Sequence, residues 1–291
     1  MIVSTVDIQP DSPSLEFGWR ARLDLTIARR GERSVAVRRR HVGPVYIQRP
    51  LYPERDGTAH VMLLHPPGGV VQGDEIVFSV VVEPGAQALI TTPSAAKLYR
   101  SPDRASRQSV QLCVGRGSSL EWLPQEAIVF DGARAQTSLD LDLAADARAI
   151  AWDVWMLGRP ASGESFQHGR YDGRLNVRLD GRLLWHERTG VPGAGDAPML
   201  DATWGMGGAR AMGTLVAYRP EGFDEATVTD ARSLLAAYDL AVGVSAVDGL
   251  LVVRVTAHEA HEIQPPLRNL WVWLRPLVYD KSAVAPRIWA T

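Results

Sequence analysis

The run Trp19-Arg20-Ala21-Arg22-Leu23-Asp24-Leu25-Thr26-Ile27 decides the class of fold. From Trp19 on, every second residue is apolar, the pattern of a strand with one face in a core and the other in water. The same period of two returns at Ile76, Phe78, Val80 and Val82, at Leu139, Leu141 and Leu143, and at Leu175, Val177 and Leu179. The last of these runs leads through Asp180-Gly181 into Leu183 and Trp185, which reads as a hairpin. Between the runs lie Gly43-Pro44, Pro66-Pro67-Gly68-Gly69, Pro84-Gly85 and Gly158-Arg159-Pro160. Short strands and frequent turns predict a mostly β chain, built as a sandwich, a barrel or a solenoid. No strict repeat is present, so periodicity alone does not select the solenoid.

Two segments of the last third read as helices. Between 224 and 238, Ala231, Leu234, Leu235 and Tyr238 recur at spacings of three and four. Between 266 and 274, Leu267, Leu270, Trp271 and Leu274 form one apolar stripe, with Pro266 suited to a first turn. Trp271 falls on that stripe. Trp273 is turned about 100° away from it, which makes it a candidate partner anchor. Residues 190–208, rich in Gly, Pro and Met, read as a loop.

With 291 residues, 46% of them hydrophobic and 22% charged, the chain has the composition of a folded protein with a sizeable core. Lys and Arg total 31 against 33 Asp and Glu, so no basic excess points to nucleic acid. The basic run Arg38-Arg39-Arg40-His41 reads as a solvated edge or a partner-facing patch. A single cysteine, Cys113, excludes an intramolecular disulfide and any CxxC motif. It alternates with Val110, Leu112 and Val114 on the opposite face, as a small structural residue would. The first twenty residues carry neither a basic nor an apolar signal region, and no run approaches the length of a membrane span. A cytoplasmic location is expected.

Motifs of chemistry are sparse. Gly68-Gly69-Val70-Val71-Gln72-Gly73-Asp74 lacks the Gly-Lys-Ser/Thr ending of a phosphate loop, and Asp74 and Glu75 stand where a phosphate would be repelled. A tight β-turn needing positive φ is the expected role of its glycines. The seven histidines form no His-x-x-x-His or His-x-His pair. His258, Glu259, His261 and Glu262 lie closest together, as solvated residues at a strand-to-helix junction or as a weak metal site. No Gly-x-Ser-x-Gly elbow is present, and nothing in the residues demonstrates catalysis.

Several segments, in order along nearly the whole chain, resemble the urease accessory protein D family, called H in some organisms. They are His41-Val42-Gly43-Pro44 with Gln48-Arg49-Pro50, and Leu63-Leu64-His65-Pro66-Pro67-Gly68-Gly69 running into Gly73-Asp74. Leu89-Ile90-Thr91-Thr92-Pro93 with Lys97-Leu98-Tyr99-Arg100-Ser101 follows, then Leu120-Glu121-Trp122-Leu123-Pro124-Gln125-Glu126. Ala151-Trp152-Asp153 with Leu157-Gly158-Arg159-Pro160, and the closing Pro286-Arg287-Ile288-Trp289, complete the set.

The resemblance implies one solenoid-like, β-rich domain over residues 1–291, not an enzyme. It implies docking on apo-urease and on accessory protein F, through which the GTPase accessory protein G is recruited. It also implies an internal acidic tunnel that passes nickel toward the urease active site, with no tightly bound cofactor. By motif position the acids are Asp74 and Glu75 after the glycine turn, Asp153, and Glu187 in His186-Glu187-Arg188. The chemistry is consistent: a hydrated divalent cation crossing a low-dielectric interior needs negative charge and oxygen ligands, held weakly enough to let go. A docking scaffold that never touches nickel is the alternative. A metal-dependent barrel enzyme would require the histidines to converge.

Overall fold

In a computed structural model, which describes residues 18–195 and 198–290, the alternating runs wind back and forth between two sheets. β1 (Arg20–Arg30) and β2 (Arg33–Val42) form a hairpin, and the chain then crosses to β3 (Tyr46–Ile47) and β4 (Ala59–Leu64) of the facing sheet. It returns for β5 (Glu75–Val82), crosses for β6 (Gln87–Thr91), passes the short β7 (Ala96–Leu98) and returns for β8 (Ser106–Val114). The next coil is β9 (Ser119–Leu123), the short β10 (Ala127–Val129) and β11 (Arg134–Leu143). The last is β12 (Arg148–Leu157) and β13 (Arg170–Leu179), after which β14 (Arg182–Pro192) turns back beside β13. β15 (Ala211–Tyr218), β16 (Ala241–Val247) and β17 (Leu250–Ala257) extend the second sheet with antiparallel pairs.

The product is a seven-stranded sheet ordered β14-β13-β11-β8-β5-β1-β2 against a ten-stranded one ordered β16-β17-β15-β12-β9-β6-β4-β3, with β7 and β10 joined at the side of β12. Successive coils pair in parallel: β1-β5-β8-β11-β13 on one side and β4-β6-β9-β12 on the other. This is the solenoid-like, mostly β architecture that the resemblance implies. Asp180 and Gly181 both take positive φ, 47° and 81°, the turn geometry that matches strand twist in the β13–β14 hairpin.

Parallel register stacks like on like. Leu25, Val80, Leu112, Leu141 and Val177 occupy one rung across five strands, and Ile27, Val82, Val114 and Leu143 the next. These side chains meet Val61, Leu63, Ala88, Ile90, Leu120 and Trp122 of the other sheet in one buried core. The expected glycine turn needs refinement. Gly73 has positive φ, but Gly69 is required for space: a Cβ there would lie 2.4 Å from the Tyr99 ring and 2.6 Å from the Lys97 carbonyl.

Inside its outer strands, the ten-stranded sheet is buried on both faces. In β12, Ala149, Ala151, Trp155 and Leu157 face the inter-sheet core, while Ile150, Trp152, Val154 and Met156 face a second core under the two helices. α1 (Glu225–Leu235) is capped by the Asp224 carboxylate, which accepts from the Thr227 amide at 2.9 Å. α2 (Ala260–Tyr279) starts earlier and ends later than its apolar stripe predicts, and it contains Pro265, Pro266 and Pro276. A capping box explains the early start: Glu262 reaches back to accept from the Glu259 amide at 2.7 Å, and the Glu259 side chain accepts from the Glu262 amide. The His258–Glu262 cluster is thereby a helix start. Burial of Ile263, Leu267, Leu270, Trp271, Leu274 and Val278 outweighs the backbone bonds the prolines cannot make. Trp273 is half-buried against the same core.

The closing motif is anchored here too. The Trp289 ring stacks on Trp152 at 5.7 Å and meets Trp271 edge-on at 5.3 Å, and its Nε1 donates to Thr91 Oγ1 at 3.1 Å. Arg38, Arg39 and Arg40 lie exposed on β2, the outer strand of the seven-stranded sheet, and Cys113 is exposed on β8. No helix among the described residues is long and apolar enough to cross a membrane. Residues 1–17, most of the stretch read above for a signal region, lie outside the described residues.

Between the solenoid and α2 lies a buried charge network. Arg275 is fully buried, with Nη2 at 2.8 Å from Glu121 Oε1 and 2.6 Å from Glu54 Oε1, and Nη1 donating to the Ser282 carbonyl at 2.6 Å. Trp271 Nε1 donates to Glu121 Oε2 at 2.6 Å, and His60 Nε2 lies 2.7 Å from Glu54 Oε1. Burial alone would lower the pKa of the guanidinium; hydrogen bonds and charge from Glu121 and Glu54 outweigh it and raise it. Removing the cation would leave two buried carboxylates facing each other. Arg275→Met should therefore destabilise the fold by about 3–5 kcal/mol, and Arg275→Met with Glu121→Leu by less. Denaturant midpoints of the two variants check this, and equal losses would contradict it.

Candidate functional site

One rung of the solenoid breaks the aliphatic pattern. Beyond Phe78, Val110, Leu139 and Leu175, the next rung is Ile76, Gln108, Thr137 and Gly173. Polar and small side chains cannot fill the gap between the sheets, and a cavity of about 570 Å³ opens there. Its walls include Gln108, Thr137, Ser138 and Asp153, and it extends to exposed Pro66, Gly68, Ser94 and Lys97 in the loops at one end. Gly173 leaves room for Tyr171: a Cβ at Gly173 would lie 3.1 Å from the Tyr171 hydroxyl. That hydroxyl is 2.7 Å from Thr137 Oγ1, and the Tyr171 ring lies 5.1 Å from Trp155.

Asp153 sits between Ala151 and Trp155 on the inner face of β12, the one charge in the run 149–157. It accepts no hydrogen bond and makes no ion pair among the described residues; the surface it keeps borders the cavity. Burial first, and then the charge of Glu187, pushes its carboxyl up to about 6. Tyr171 is raised for the same reasons, burial first and then Asp153.

Glu187 reaches the same region from β14 of the other sheet. Its Oε2 pairs with Arg254 Nη2 at 2.8 Å and accepts from Trp185 Nε1 at 3.4 Å, and its Oε1 accepts from Thr214 Oγ1 at 3.4 Å. Asp153, Thr214 and Arg254 stand side by side on β12, β15 and β17, so one row across the ten-stranded sheet carries all three. The structure thus brings together Asp153 and Glu187, which the sequence separates onto different sheets.

Asp74 and Glu75 lie elsewhere. Asp74 is buried, accepts from the Trp19 amide at 2.8 Å and the Val71 amide at 2.9 Å, and so fastens the glycine turn to the start of β1. It lines a cavity of about 380 Å³ that shares His65, Pro67 and Gly69 with the larger one, which puts it beside the mouth. Its charge partly offsets the burial that lowers the His65 pKa. Glu75 is half-exposed, with its carboxylate 3.5 Å from Arg20. No group of three or more His, Cys, Asp or Glu among the described residues converges as a metal-holding set. Thr137, Tyr171, Thr214 and Arg254 were not singled out by the sequence reading. A lone charge in an apolar run, as in Leu250-Leu251-Val252-Val253-Arg254-Val255, is the signal that could have found Arg254.

The class defined by these features is a two-sheet β-solenoid, flanked by helices, whose interior carries acids. The chain belongs to the UreD urease accessory protein family, whose model matches residues 20–290. It is 43% identical over 286 residues to the urease accessory protein UreD of Dechloromonas aromatica (strain RCB), covering 97% of each chain. It is 40% identical over 279 residues to UreD of Klebsiella aerogenes, covering 96% of this chain and 99% of the relative. UreD of Pseudomonas fluorescens (strain Pf0-1) is 42% identical over 273 residues, covering 94% of this chain and 95% of the relative.

Two outcomes follow from the geometry. Asp153 is protonated more readily folded than unfolded, so between about pH 4 and pH 6 the folded state binds the extra proton and this group's contribution to stability falls as pH rises. Asp153→Asn should then stabilise the protein by about 1–3 kcal/mol at pH 7, and the gain should vanish near pH 4. Thermal unfolding across that range measures it; a pH-independent difference would contradict the assignment. Asp74→Ala should cost about 1–2 kcal/mol at pH 7 by orphaning two amides, with Asp74→Asn milder.

Proposed function

We propose that this chain serves urease maturation as a scaffold that docks on apo-urease with accessory proteins F and G and passes nickel through the solenoid interior. The observation that carries the reading is Asp153, without a partner among the described residues, lining a cavity that reaches the surface, with Glu187 near enough for its charge to act on it. Nickel here is cargo. A divalent aqua-cation entering between Pro66 and Lys97 meets the neutral oxygens of Thr137 and Ser138 and the carboxylate of Asp153, with Glu187 behind it. Carboxylate and hydroxyl oxygens bind it by charge and exchange readily, whereas imidazole or thiolate ligands would hold it. Asp74 keeps the mouth in shape through its turn, and Glu75 belongs to the outer surface.

Reconstitution from apo-urease, this chain, accessory proteins F and G, nickel and GTP tests the reading. Asp153→Asn and Glu187→Gln should each lower nickel per urease active site several-fold, since each ~1.4 kcal/mol added to a barrier slows transit tenfold. A pull-down should recover the same complex, because docking rests on extended surface. Normal nickel content with both variants would leave the docking scaffold without a conduit as the better reading. Loss of the complex would move these residues to the docking surface.

A further inference from the structure

Glu187 is anchored and Arg254 is not. The Glu187 side chain is 11% exposed and held by Thr214 and Trp185, whereas the Arg254 side chain is 44% exposed, with its guanidinium 5.6 Å from the centre of the Trp185 ring. The pair spans the side of the solenoid where β14, the outermost strand of the seven-stranded sheet, meets β17 of the other. On β16 the residue directly opposite Arg254 is Gly243, and a Cβ there would meet nothing within 4 Å. Cross-strand partners project on the same face, so the space beside Arg254 is open.

We propose that Arg254 is a displaceable counter-cation that closes this side of the interior and yields its place on Glu187 to a divalent cation. The inference rests on the conduit reading above and adds an exit and its gate. Glu187 faces this guanidinium, while Asp153, on which the charge of Glu187 acts, has no cation of its own, so a single positive charge leaves the two undercompensated. A dication between Asp153 and Glu187 balances both. The displaced guanidinium loses one ion pair, keeps the Trp185 face and gains water in the space over Gly243. A lysine, with a compact and strongly hydrated charge, would close the gate less tightly than arginine but still oppose the dication.

Equilibrium dialysis of the purified full chain against nickel(II) alone tests the proposal. Arg254→Gln should bind nickel roughly tenfold more tightly than the wild type, the factor that about 1.4 kcal/mol of relieved competition gives. Arg254→Lys should stay nearer the wild type. Arg254→Gln with Glu187→Gln should lose the gain, which locates it at Glu187. Gly243→Val, on an ordinary strand backbone, fills the space the guanidinium needs and should weaken binding several-fold without changing any charge. Unchanged affinity in both Arg254→Gln and Gly243→Val, or a gain that persists without Glu187, would overturn the gate. The two readings fail separately. If Asp153→Asn lowers nickel loading of urease while the Arg254 variants bind as wild type, the gate is wrong and the conduit stands. If loading is indifferent to Asp153 and Glu187, the conduit itself is wrong.

Discussion

The structure depends on rung matching between coils. A solenoid of parallel strands closes only where each coil offers an apolar side chain at the same height, so that two sheets can sit about 10 Å apart with nothing but side chains between them. Leu25, Val80, Leu112, Leu141 and Val177 meet that condition, and so do the rungs on either side. Once it is met, the interior is specified by exceptions. Replacing one aliphatic rung by Gln108, Thr137 and Gly173 is enough to open a cavity, and Asp153 lines it.

A second constraint follows from the ten-stranded sheet. Its inner face belongs to the solenoid and its outer face must be covered by α1 and α2, so its strands carry apolar residues at nearly every position. In such a strand a charge has no solvent side to turn to. Asp153 in β12 and Arg254 in β17 are both placed on the inner face, which leaves them the cavity and the seam between the sheets as places to go. Glu121 has the outer face and is met there by Arg275 and Trp271.

Much of this was legible. Alternation in Trp19 to Ile27, Ile76 to Val82 and Leu175 to Leu179 reported the strands because one face of each is wet, and Asp180-Gly181 reported the hairpin because its φ angles are costly for most residues. Winding was not legible from periodicity, because the coils between matching rungs differ in length and leave no fixed repeat. The resemblance supplied it. The ends of α2 were missed because prolines read as breakers, while the capping box at Glu259 and Glu262 looked like a polar cluster. Among the candidate acids, Asp153 and Glu187 stand together only after β12 and β14 take their places in opposite sheets. Adjacent Asp74 and Glu75 part because Asp74 closes the turn onto the Trp19 and Val71 amides while Glu75 begins β5 beside Arg20.

The Arg275 network also sets an order of assembly. Its guanidinium joins residues 221 and 154 positions away in the chain, Glu54 in the first coil and Glu121 in the third. During synthesis the coils emerge first, with both carboxylates exposed and the outer face of the second sheet bare. The latch arrives near the end of the chain, so closure is the most non-local step and winding the neighbour-by-neighbour one. Until α2 docks, the growing chain presents an apolar sheet face to the solvent, the kind of surface that other proteins or further copies cover when its own helix is late.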